Sequence, residues 1–159
     1  MKPIVWAGFV ALAGLSGIAN AACTDPIVPA AGDRGVVTLS SLFSNKLVCG
    51  KPGAANVGAA ASDRWQERHA SAGAAIPGGS LVDYKKGPSD PVDPSKTVGS
   101  WSIDTATNQI VHSYTGGSTF KWTVHKAGDR YSFCNASGEQ VVALIPPGMG
   151  TSGCGGVYP

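Results

Sequence analysis

The sequence predicts a mainly β fold: an antiparallel meander forming a small barrel or half-open sheet of about six to eight strands, with one short N-terminal helix and two disulfides. Three observations carry this expectation. Residues 98–145 alternate strand-like runs with turn signals. Glycine is abundant, at 22 residues, while charged residues make up 14% of the chain, which suits turns and tight β-structure better than long helices. Four cysteines, Cys23, Cys49, Cys134 and Cys154, lie outside any C-x-x-C spacing and so read as a disulfide framework and not as a zinc site or a haem attachment motif.

Residues 1–21 read as a secretory signal peptide. Lys2 supplies a positive charge, Ile4 to Ala19 form an uncharged apolar run, and Ala19-Asn20-Ala21 places small residues where a signal peptidase reads. The run is shorter than the ~20 residues that span a bilayer. Asn20 stands where a lipobox wants a large aliphatic residue, so Cys23 is expected to be paired and not acylated. The expected mature protein is one secreted or periplasmic, bacterial β domain over 22–159. It has an extended N-terminal segment at 22–37 and a Gly-rich C-terminal tail at 146–159. With Lys2 gone the domain is nearly neutral and has no basic cluster, which argues against nucleic acid or an anionic membrane as partner. No membrane insertion is expected after cleavage.

In the first half, "TLSSLFSN" reads as a short helix capped by Thr38. "KLVC" reads as a strand ending at Cys49, residues 50–61 as a loop, and "SLVDYKK" as a strand. Residues 62–72 fit either a helix capped by Ser62 or a strand in which Trp65, Glu67 and His69 alternate. "DYKKGPSDPVDP", residues 83–94, must be a stiff connector. Pro88, Pro91 and Pro94 lack amide donors and restrict their predecessors, so no ladder runs through it. Its aspartates lack the spacing of a calcium loop.

The second half contains "VGSWSI", "QIVHSYT", "STFKWTVH", "RYSFC" and "EQVVALI". Gly116-Gly117 between two alternating runs signals a two-residue hairpin. That register sets Val111 opposite Trp122. Val111, Phe120, Trp122 and Val124 then share the core face, and Trp101 is expected to be buried as well. Ile110, His112, Tyr114, Lys121, Thr123 and His125 fall on the wetter face, and both histidines read as solvated. For the disulfides the expected pairing is Cys23–Cys49 and Cys134–Cys154, each tying a loose terminal segment to the strand beside it and each worth roughly 3 kcal/mol.

Gly99-Ser100-Trp101, at the head of the meander, resembles the G-x-W start of lipocalins and related calycin barrels, although it falls mid-chain and not on the first strand. The resemblance implies a barrel that carries a small apolar ligand.

The candidate site comes from "RWQERH". A spacing of four puts Trp65 and His69 on one side of either a helix or a strand. In a strand Glu67 joins them, giving an acid and an imidazole beside an aromatic wall, with the carboxylate expected to raise the histidine's pKa. Tyr84 or Asp83 from "LVDYKK" completes the lining if the two segments are neighbours, and the expected ligand-contacting group is Trp65, Glu67, His69 and Tyr84. No G-x-S-x-G, H-E-x-x-H or phosphate-binding glycine loop is present, and paired cysteines leave no thiol nucleophile. The expectation is therefore a non-enzymatic binding protein, without cofactor or metal, for a small apolar or aromatic ligand or a protein partner. The alternatives are an assembly subunit pairing through sheet edges and a small secreted hydrolase.

Overall fold

The computed structural model describes residues 22–32, 35–73, 78–83, 96–147 and 153–159. Residues 1–21, expected to be a signal peptide, together with Tyr84 and nearly all of the Pro-Asp connector, lie outside the described residues.

Every strand lies beside its sequence neighbour, and from β4 to β8 the connecting loops are short. The strands are β1 (Lys46–Pro52), β2 (Trp65–Ser71), β3 (Gly78–Asp83), β4 (Lys96–Asp104), β5 (Gln109–Tyr114), β6 (Thr119–Ala127), β7 (Arg130–Asn135) and β8 (Gly138–Leu144). Each pairs antiparallel with the next, and β8 pairs with β1, closing an eight-stranded barrel. A barrel of this size has an interior that side chains can fill or that holds one small ligand. "RWQERH" is a strand, in register with both β1 and β3. Among the described residues no helix is long and apolar enough to cross a membrane.

One helix, α1 (Leu39–Phe43), precedes β1. Thr38 caps it as expected: its side chain accepts from the Ser41 amide, and the Ser41 hydroxyl accepts from the Thr38 amide at 2.9 Å. Leu39, Leu42 and Phe43 enter the core and plug the end of the barrel where β1 begins. Thr38→Ala should cost about 1 kcal/mol in denaturant unfolding. An unchanged midpoint would mean that packing alone seats the plug. The opposite end, where β1 runs out and β2 begins, is the mouth. β3 ends there and β4 begins there, Asp83 pairing with Lys96.

The β5–β6 connection corrects the expected hairpin. The Tyr114 amide donates to the Ser118 carbonyl at 2.8 Å and the Gly117 amide donates to the Tyr114 carbonyl at 3.1 Å, so the loop is longer than Gly-Gly alone. Both glycines have positive φ, 112° and 100°. The ladder pairs Ile110 with Trp122, Val111 with Lys121 and His112 with Phe120. Relative to the expected pairing this is a slip of one residue, and a slip of one exchanges the faces of a strand. Ile110, His112 and Tyr114 therefore share the interior face with Phe120, Trp122 and Val124. Trp101 and Trp122 are buried as expected, Val111 is turned outward and only partly buried, and Phe120 sits 43% exposed at the mouth.

Both histidines expected in solvent are buried. His112 is inside the barrel. His125 is outside it but lies under the N-terminal segment, where its Nδ1 is 2.6 Å from the Asp25 carbonyl oxygen. That segment pairs with the far half of β6: Val28 donates to Val124 at 2.8 Å and Lys126 to Pro26 at 2.9 Å.

The disulfides are Cys23–Cys134 and Cys49–Cys154, which overturns the expected pairing. Closure of the barrel explains the difference. Chain that follows β8 emerges beside β1, so the C-terminal tail meets Cys49, while the N-terminal segment crosses β6 and meets Cys134 on β7. Cys49 and Leu47 point out of the barrel, where Cys154 and Tyr158 cover them as a second small apolar cluster. The Cys154 amide donates to Gln66 Oε1 at 2.7 Å, anchoring the tail to β2. Two disulfides between distant segments fit an oxidising, extracellular setting.

Candidate functional site

A cavity of about 390 Å3 occupies the mouth of the barrel. Its lining includes Trp65 from β2, His112 and Tyr114 from β5, Phe120 and Trp122 from β6, Phe133 from β7 and Gln140 and Val141 from β8, with Asn56, Gly58 and Ala59 reaching in from the β1–β2 loop. Gly50 on β1 makes room for Trp65, because a Cβ there would meet the indole Nε1 at 2.7 Å. Phe120 and Trp122 stack almost parallel, at 6° with centroids 5.6 Å apart. Tyr114 meets the Phe120 ring edge-on at 5.9 Å. The pairing of β7 with β8 changes register between Phe133 and Cys134, leaving Gln140 without an opposite residue. Its neighbour Val141 lines the same cavity. Gln140 Nε2 is buried without a hydrogen-bond partner among the described residues.

Beneath the cavity lies a polar cluster inside an aromatic cage. His69 Nε2 and His112 Nε2 face each other at 3.0 Å. His69 is fully buried, packed on Phe43 at 5.0 Å and edge-on to Trp101 at 5.5 Å. Trp101 is held in place by donating its Nε1–H to the Ala70 carbonyl at 3.0 Å. Glu67 lies two residues before His69 on the interior face of β2, and the Tyr114 hydroxyl donates to its Oε2 at 3.1 Å. One potential ligand atom from each of Glu67, His69 and His112 lies within 4.8 Å of the others. Among the described residues His69 Nδ1 makes no close hydrogen bond, and the main chain of Glu67 is the polar group acting on the ring.

Burial sets the charges in this cluster. Desolvation pushes the Glu67 carboxyl up to about 7; the Tyr114 hydrogen bond opposes the rise and the Asp83 charge adds to it. Desolvation pulls His112 down to about 3. It also holds His69 well below its ordinary value, helped by His112 and opposed by the main chain of Glu67. Tyr114 is raised, first by burial and then by the Glu67 charge. The expectation that Glu67 would raise the pKa of His69 is thus reversed. The carboxyl is itself desolvated, and the loss of water around the imidazole outweighs any neighbouring charge.

Of the expected site residues, Trp65 lines the cavity. Glu67 lines an adjoining opening of about 450 Å3 together with Trp65, Asp83, Tyr114 and Phe120. His69 lies deeper, enclosed and in contact with His112, and Tyr84 falls outside the described residues. His112, Tyr114, Phe120 and Gln140 are further members of the site. The first two share a strand face that the one-residue slip had hidden, and Phe120 was expected in the core. Comparison with protein-family models, curated protein sequences and solved structures finds no match to this chain.

Proposed function

We propose that this is a small exported binding protein that holds a small, flat, apolar or aromatic ligand in the mouth of its barrel. The observation that carries the reading is the cavity of about 390 Å3 walled by Trp65, Tyr114, Phe120, Trp122 and Phe133. That volume and lining fall in the range of small-molecule sites, where apolar walls supply affinity and a few polar groups fix orientation. Gln140 Nε2 supplies such a group, a buried donor with no partner among the described residues. Leaving a donor unmade costs about 1–3 kcal/mol, which a ligand acceptor would recover. Phe120, 43% exposed and stacked on Trp122, is the surface that a planar ligand would cover. The lipocalin-like resemblance of Gly99–Trp101 points the same way. Pairing through sheet edges is less favoured, because every named strand has a neighbour on both sides. Export to the periplasm or the exterior of a bacterium fits the leader and the disulfides.

Anilinonaphthalene sulfonate, an aromatic dye carrying one sulfonate, tests the reading. It should bind one to one with quenching of tryptophan fluorescence. Phe120→Ala should weaken binding about tenfold, equivalent to about 1.4 kcal/mol, while leaving stability nearly unchanged. Saturable binding that ignores Phe120→Ala, or no binding, would rule out the mouth as a ligand site.

A further inference from the structure

We propose that Glu67, His69 and His112 form a site for a divalent first-row transition-metal ion, reached through the acidic opening beside Glu67. Two imidazoles and a carboxylate are a ligand set suited to such ions. Their potential ligand atoms already converge, all within 4.8 Å of one another.

The distances decide between an ion and a plain hydrogen bond. Two nitrogens bound to one zinc at ~2.0–2.1 Å, with a tetrahedral angle between them, stand roughly 3.3 Å apart. His69 Nε2 and His112 Nε2 are 3.0 Å apart, so a spread of a few tenths of an ångström admits the ion. Without it, the two Nε2 atoms share a single proton between two neutral rings. An ion between the two Nε2 atoms requires both Nδ1 positions to carry hydrogen. The Glu67 main chain, already interacting with the His69 imidazole, is then the acceptor at hand.

Features expected around a metal are in place. The Tyr114 hydroxyl donates to the Glu67 carboxylate and fixes its orientation, as outer partners of metal ligands do. Phe43 and Trp101 pack against the His69 ring. An entry path exists: Glu67 and Asp83 both line the opening of about 450 Å3, so carboxyl oxygens stand along the way in. His112 also lines the ligand cavity. A ligand bound there can therefore complete the ion's coordination with an oxygen or nitrogen of its own.

The test uses the oxidised chain, residues 22–159, made without a histidine tag and stripped with chelator. Zinc is titrated calorimetrically, and cobalt(II) serves as a spectroscopic stand-in. The expected result is one ion per chain and a cobalt spectrum with visible ligand-field bands. His112→Gln and Glu67→Gln should each weaken zinc by more than the ~10–100-fold that loss of an outer partner costs. His125→Gln, outside the barrel, should bind as wild type. If His112→Gln does not fold, Glu67→Gln carries the test alone. No saturable uptake, or uptake that survives Glu67→Gln, overturns the proposal. Dye binding by the stripped protein is measured in parallel, so failure of the metal site and failure of the ligand cavity are read separately.

Discussion

Replacing Cys49 and Cys154 together by alanine is expected to destabilise the protein by about 4–5 kcal/mol. The bridge joins residues 105 apart, and the chain-entropy model gives about 4.7 kcal/mol for a loop of ~100 residues. That exceeds the roughly 3 kcal/mol expected from the short pairings, because each real bridge spans almost the whole barrel. The Cys49–Cys154 bridge does more than shorten the unfolded chain. It pins the tail that covers Leu47 and Cys49, and it places the Cys154 amide on Gln66. The Cys23–Cys134 bridge, across 111 residues, holds the segment that covers His125. A domain of this size has about 5–15 kcal/mol in total. Losing either pair should leave a marginal fold, and reducing both should unfold it at neutral pH without denaturant. Denaturant titration of the double-alanine protein is the measurement. A loss under about 2 kcal/mol would show that the unfolded chain is already compact or that the tail contributes nothing. Unreduced peptide mapping should recover Cys23 with Cys134 and Cys49 with Cys154.

The pairing illustrates where sequence reading ends. Local features were legible. Thr38 before "LSSLF" marked the helix, and alternation with short loops marked the meander from β4 to β8. Spacing by two put Trp65, Glu67 and His69 on one face once "RWQERH" was a strand. What failed was non-local or hung on one residue. Closure of β8 onto β1 decides which cysteines meet, and no spacing within the chain encodes it. The Gly116-Gly117 loop is longer than its glycines suggest, and that one-residue slip carried His112 and Tyr114 from the outside to the interior. The His69–His112 contact joins positions 43 residues apart on strands that are not neighbours in the sheet. A metal site assembled this way lacks the short H-x-x-x-H or C-x-x-C spacings by which sequence motifs are found. The fit of Trp65 over Gly50 is equally invisible without the β1–β2 register.

Glu67→Gln is expected to stabilise the metal-free protein by roughly 3 kcal/mol at pH 8 and to change little at pH 4. In the folded protein the carboxyl titrates at about 7, against an ordinary 4.5, chiefly because it is desolvated. A tenfold change in proton affinity between the folded and unfolded chain corresponds to about 1.4 kcal/mol. As pH rises through 4.5 the unfolded chain releases this proton while the folded chain keeps it. Stability therefore falls from about pH 4.5 to 7 and stays low above. The histidines pull in the opposite direction. Their folded values lie below 6.5, about 3 for His112, so the unfolded chain binds the extra protons in acid and stability rises with pH up to about 6.5. Between 4.5 and 6.5 two imidazoles outweigh one carboxyl, and beyond 6.5 only the carboxyl acts. Tyr114 on β5 is raised above its ordinary value and so acts in this range only through its hydrogen bond to Glu67, while the charge of Asp83 on β3 adds to the rise of Glu67. Metal-free wild type should thus be most stable near pH 6.5 and lose stability toward pH 8, whereas Glu67→Gln should keep its stability there. Urea unfolding across pH 4–8 in the presence of chelator measures both curves. Coincident curves at pH 8 would mean that water reaches Glu67 through its opening and that the carboxylate is solvated. If the curves separate as expected, the protein carries an ionised carboxylate that weakens its own empty fold. A bound cation offsets that cost, so adding zinc at pH 8 should raise wild type above Glu67→Gln.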